Sequence, residues 1–156
     1  MSLIGYVTLE EAGQYISTHY LSNDALRQSW ESLSDDDRVV LLTKSFQAIE
    51  LLPFTSRKLN PDQNTVFPRW PCKEVPEAIK WAQIENALAK SDASNEEDAK
   101  HYERLWTYGV ESYSIGNLSE RTSTGTYSLR GAQYTGVTSA IAERLLRPFL
   151  GGGYRM

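Results

Sequence analysis

Residues 34–53 read "SDDDRVVLLTKSFQAIELLP", and this stretch decides the fold class. Ser34 is a good N-cap, because its hydroxyl can accept from the orphan amides of a first helical turn. Asp35, Asp36 and Asp37 fall in that turn, where negative charge is favourable against the positive helix end. Val39, Leu42, Phe46 and Ile49 then step by three, four and three, which lays one apolar stripe along a helix. Pro53 stops it, since proline lacks the amide the next turn needs.

Working outward, the stretch upstream is helical as well. In "TLEEAGQYISTHYL", Thr8 and Glu11 have capping-box spacing, and Leu9, Ala12, Ile16 and Tyr20 recur at helical intervals. The polar break "SNDALRQSW" has room for one short turn. Downstream, Pro76 suits the first position of a third helix, "PEAIKWAQIENALAK". Trp81, Ile84 and Leu88 form its face, Ile79 flanks them, and four alanines permit close packing. "EEDAKHYERLW" reads as a fourth, more exposed helix.

Between the second and third long helices lies "NPDQNTVFPRWP" at residues 60–71. Prolines preset φ, remove donors and bias the preceding residue towards extended backbone. The segment is therefore expected to be a stiff strap across the bundle. Phe67 and Trp70 would be its anchors in apolar grooves, and Arg69 would pair with an acid or a helix C-terminus.

Residues 111–137 change character: 13 of 27 are Ser, Thr or Gly. Tyr113 and Ile115, then Tyr127 and Leu129, alternate with small polar residues, with "STGT" as a possible turn. A hairpin or an extended arm is expected. The chain closes with "SAIAERLLRPFLGGGYRM", where Ile141, Leu145 and Leu146 line a short helix ended by Pro148. Such a helix, beyond a loose arm, has no obvious place in a small core and is expected to dock on a neighbour. Arg144 and Arg147 suit either that docking or simple complementarity to the helix dipole. The organisation expected is a body at 1–110, an arm at 111–137 and a C-terminal helix with a flexible tail at 138–156.

The chain has 156 residues, 40% of them apolar and 23% charged, which fits one soluble globular domain and not a disordered chain. No apolar run approaches the ~20 residues that span a bilayer, and no signal-peptide pattern opens the sequence. One cysteine, Cys72, excludes an internal disulfide framework. Residues 1–110 carry 17 acids against 11 Lys/Arg, a net of −6, while residues 111–156 carry 3 acids against 5 Arg, a net of +2. An acidic body disfavours tight phosphate binding. No cofactor, metal or catalytic residue is expected. His19 and His101 lack metal-ligand spacing, Cys72 has no nucleophile motif around it, and "GGGYRM" follows a helix instead of opening one. Asp35, Asp36 and Asp37 are read first as a helix start and second as an acidic surface that keeps passing DNA from adhering.

"YVTLEEAGQYI", "LSDDDRVVLLTKSFQAIE", "PDQNTVFPRWP" and "VPEAIKWAQIENALA", in that order, resemble the small helical head–tail connector (adaptor) proteins of tailed bacteriophages. Some similar sequences are described instead as DnaT-like single-stranded-DNA-binding proteins. The resemblance covers residues 5–90, and its most specific piece is Gln63 with Phe67-Pro68-Arg69, a Q-x-x-x-[FW]-P-R pattern. Residues 54–60, "FTSRKLN", depart from it, because many relatives carry a glycine and a second aromatic there.

The resemblance implies a mainly α fold: a small bundle with a proline-rich connector, a Ser/Thr/Gly-rich arm or hairpin and a docking helix. It implies a structural protein of the virion, synthesised in the host cytoplasm. Such a protein forms a ring, usually of twelve copies, under the portal protein. It extends the channel for double-stranded viral DNA and presents a platform to the next neck or tail protein, with no membrane involved. By the same resemblance Ile141, Arg144, Leu145, Leu146, Arg147, Phe149, Tyr154 and Arg155 would dock on the portal. Tyr113, Ile115, Tyr127, Leu129 and Tyr134 would bridge subunits, Gln63, Phe67, Arg69 and Trp70 would anchor the connector, and Asp35, Asp36 and Asp37 would face the channel. The alternative is a single-stranded-DNA-binding or replication accessory protein.

Overall fold

The computed structural model describes residues 2–92, 112–115, 118–121 and 136–151. These are mainly helical. Helices α1 (Leu9–His19), α2 (Ala25–Glu31), α3 (Asp35–Glu50) and α4 (Glu77–Lys90) are followed by strands β1 (Ser112–Ile115) and β2 (Leu118–Arg121). Helix α5 (Ala140–Leu146) and a 3-10 turn (Arg147–Phe149) complete the order. The expected helix at 96–106 lies outside the described residues.

Local signals set the helix starts. Thr8 Oγ1 accepts from the Glu11 amide at 3.1 Å, and Glu11 accepts from the Thr8 amide at 2.7 Å, so α1 opens on a complete capping box. Asp24 caps α2 through the Leu26 amide, and Ser34 caps α3 through the Asp37 amide. Helix α2 is two turns long instead of the single turn expected. Its Trp30 is buried, and Arg38 of α3 closes its far end by donating to the Trp30 and Glu31 carbonyls.

Helix α4 is the spine. Residues from Ala82 to Lys90 are buried on every side, so a single apolar face describes it poorly. Towards one end α4 packs with Val7, Ile16, Trp30 and Leu42; towards the other it packs with Tyr6, Ile49, Phe67 and Leu146. The α3 stripe is rotated from expectation. Leu42, Ser45, Ala48 and Ile49 face inward, Phe46 is half-buried, and Val39 is exposed. Ser45 and Ala48 are small, and the Ser45 hydroxyl reaches the Gln83 carbonyl of α4 at 2.7 Å.

Buried polar side chains on α4 hold distant segments. The Gln83 amide donates to the Ile4 and Leu42 carbonyls and accepts from the Tyr6 amide. The Asn86 amide donates to the Gly136 carbonyl and accepts from the Thr138 amide. Glu85, 4% exposed, accepts from the hydroxyls of Tyr15 and Tyr20. Each bond leaves no orphan at a position where water is excluded.

The C-terminal helix corrects an expectation. Instead of lacking a place in the core, α5 packs along α4, with Val137, Ala142, Leu146 and Leu150 buried. The returning chain also pairs with the start of the strap. The Thr55 amide donates to the Phe149 carbonyl, and the Gly151 amide donates to the Pro53 carbonyl. The hairpin is antiparallel, with Ser112 opposite Arg121 and Ile115 opposite Leu118. The "STGT" expected as a possible turn at 123–126 lies outside the described residues.

Candidate functional site

The strap between Pro53 and Val75 contains no helix or strand, yet it is hydrogen-bonded throughout. Gln63 is its internal bracket: the side-chain amide donates to the Thr65 and Pro68 carbonyls, each at 2.9 Å, and accepts from the Asn60 amide. The Leu59 amide donates to the Pro68 carbonyl and the Trp70 amide to the Arg57 carbonyl, so residues 57–59 run antiparallel to 68–70. The Phe67–Pro68 and Trp70–Pro71 peptides are cis.

Phe67 enters the core. It is 1% exposed and meets Phe54, Phe149 and Tyr6 edge-on, at centroid distances of 4.8, 5.8 and 6.0 Å. The Val66 amide donates to the Glu50 carboxylate, and the Phe67 amide to the Tyr6 hydroxyl, which itself donates to Glu50. Burial, together with that bond to Glu50, raises the Tyr6 phenol well above its ordinary value. Tyr15 and Tyr20 are raised in the same way by burial and by Glu85.

Arg69 pairs with no acid among the described residues; its guanidinium donates to the carbonyls of Thr55 and Ser56, in the loop just past the α3 C-terminus. One strap expectation is corrected. Trp70 is not an anchor, because its side chain is turned outward and 56% exposed. The strap is ordered from within, so it does not need the indole as a plug.

Trp70 therefore stands on a rigid outer face. Arg57 is its backbone partner, Lys58 lies opposite Arg69, and Lys73 follows a turn closed by the Cys72 amide on the Arg69 carbonyl. Arg57 and Lys73 are exposed and make no ion pair among the described residues. Lys58 spends one donor on the Gln63 carbonyl. Residues 54–75 carry four Lys/Arg against two acids, a net of +2. Residues 2–53 with 76–92 carry five against eleven, a net of −6. An exposed aromatic among cations, on an acidic body, is a place where a base could stack and phosphates would be drawn. Trp70 was legible in the sequence, but as an anchor. The pairing of 57–58 with 69–70, which brings the cations beside it, was not.

The remaining expected residues separate. Leu146 is buried, and Leu145 and Phe149 pack against the same core, so they serve the monomer. Arg147 pairs with Glu143 at 3.4 Å. Ile141, 48% exposed, and Arg144 face outward. Asp35, Asp36 and Asp37 are exposed in the first turn of α3, with Asp35 paired to Arg38. Tyr113 and Ile115 lie on β1; Tyr127, Leu129, Tyr134, Tyr154 and Arg155 lie outside the described residues. Among the described residues no cluster of three or more His, Cys, Asp or Glu could hold a metal ion, and no helix is long and apolar enough to cross a membrane.

No curated protein and no solved structure matches the chain significantly. A family model described as "Putative DnaT-like ssDNA binding protein" matches residues 5–156, almost the whole length. The chain belongs to that family.

Proposed function

We propose that the chain binds single-stranded DNA through the outer face of its strap, without catalysis. Trp70 would stack a base, and Arg57, Lys58 and Lys73 would meet the flanking phosphates. The observation that carries this reading is an indole 56% exposed on a braced, net-positive segment of an otherwise acidic body. Base–aromatic stacking contributes roughly 1–3 kcal/mol per base and tolerates any sequence. The acidic remainder would repel a strand that strayed from this face. The family's description supports the same reading. Anisotropy of a fluorescent oligo-dT tests it: Trp70→Ala should weaken binding about 5- to 100-fold, and unchanged affinity would refute it.

A second reading rests on different observations. Leu21 and Leu51, at the ends of α1 and α3, are 75% and 84% exposed, and a β-hairpin interrupts the helical order. Apolar surface of this kind suits contacts between copies. In this reading the protein is a ring-forming head–tail adaptor of a virion, made in the host cytoplasm, that meets portal and tail proteins and lets double-stranded DNA pass. The portal contact would include Ile141 and Arg144, the outward side of α5, beside Tyr154 and Arg155. Mass spectrometry of purified virions decides it: absence of the protein would eliminate this reading.

A further inference from the structure

A groove of about 390 Å³ runs between α1 and α4, away from Trp70. Its walls include Glu11, Tyr15, His19, Glu77, Lys80 and Trp81. Three of these form an aromatic cluster. Tyr15 and His19 stack at 3.9 Å with planes 19° apart, and Trp81 lies 5.9 Å from Tyr15 and 6.1 Å from His19. Trp81 is 37% exposed, so part of the cluster is open to an approaching group. This face was expected to be core, with Trp81 on the same stripe as Ile84 and Leu88. Those two are buried, and Trp81 is left at the rim.

The charges lining the groove favour a cation. Glu11 is engaged by the Thr8 amide and lies 3.6 Å from Lys80, so these two largely cancel. Glu77 makes no hydrogen bond or ion pair among the described residues, which leaves the groove at a net of −1. The His19 Nδ1 lies 2.9 Å from the Tyr15 carbonyl and donates to it. The Tyr15 hydroxyl donates to the buried Glu85 carboxylate at 2.7 Å, which pushes electron density into the ring.

We infer that this groove is a docking site for an arginine side chain presented by a partner protein. A guanidinium is planar and weakly hydrated, so it can stack on an indole while donating to a carboxylate. A phosphate would instead face Glu11 and Glu77. The groove is open, so an arginine free in solution would bind only at tens of millimolar, and one delivered by a larger contact would be held more tightly. Tryptophan and arginine are the residues that most often dominate such contacts. This contact is distinct from the strap face and does not depend on the DNA-binding reading.

The test uses the full chain and its tryptophan indole resonances. The Trp81 signal is assigned by its loss in Trp81→Phe. N-acetyl-arginine amide, titrated to tens of millimolar, should move that resonance saturably and leave buried Trp30 still. Glu77→Gln, a change at an exposed position, should weaken the response about 2- to 5-fold, as expected for one partly exposed ion pair. Adenosine is the competing probe. If adenosine moves the Trp81 signal and the arginine probe does not, the groove stacks bases and the inference fails. It fails equally if neither probe moves it, or if Glu77→Gln binds the arginine probe as well as the parent does.

Discussion

Phe67 and Trp70 stand three residues apart on one braced strap and occupy opposite environments, 1% and 56% exposed. The two positions should therefore separate stability from binding. Phe67→Ala removes a ring packed against three others and should destabilise the fold by about 3–5 kcal/mol. Trp70→Ala should change stability by no more than about 0.5 kcal/mol. Urea unfolding of both variants checks this, and a large loss in Trp70→Ala would mean that the indole supports the core after all.

The C-terminal helix is predicted to be part of the folding unit. Leu146→Ala should cost about 2–5 kcal/mol, because the cavity opens in the core that Ile49, Phe67 and Ile79 share. Deletion of residues 138–156 should leave a chain without a cooperative thermal transition. A cooperative transition in the truncated chain would show that α5 is an appendage.

Asn86 ties residues 136–138 to the spine. Asn86→Leu should leave the Thr138 amide unsatisfied in a buried site and cost about 1–3 kcal/mol. Amide hydrogen exchange should then rise first at 137–146 and only later in α1. Uniform acceleration across the chain would argue against a local tether.

Alkaline pH should destabilise the protein through its tyrosines. Tyr6, Tyr15 and Tyr20 all titrate higher in the folded state than the ordinary value of about 10. The folded chain therefore holds protons that the unfolded chain releases above that pH. Their stabilisation is fully present below about pH 10 and declines as pH rises beyond it. Denaturant midpoints measured from pH 8 to 11.5 should fall only in the upper part of that range. Tyr15→Phe with Tyr20→Phe should flatten the fall, and an unchanged slope would contradict the assignment.

The sequence made the helix starts legible because capping is local. Thr8 with Glu11 and Ser34 with Asp37 act within one turn, and both caps form as their spacing implies. The polar brackets were not legible, since their partners lie far off in sequence. Gln83 meets Ile4 and Tyr6 across nearly 80 residues, and nothing near Gln83 hints at it. The rotation of α3 follows from the same cause: Ser45 faces inward because a carbonyl of α4 awaits it. The place of α5 was hidden by the Ser/Thr/Gly-rich segment before it, which suggests detachment. Trp70 misled for a chemical reason, because an indole between prolines looks like an anchor until the internal bonds of Gln63 make one unnecessary.

Salt dependence of oligo-dT binding, measured on the parent chain and on Trp70→Ala, tests the central claim most directly. Three strap cations meeting phosphates predict a slope of log affinity against log salt near −2. The parent should bind with that slope, and Trp70→Ala should keep the slope while losing affinity. An absence of binding at low salt, or a parent and variant that bind alike, would contradict the account.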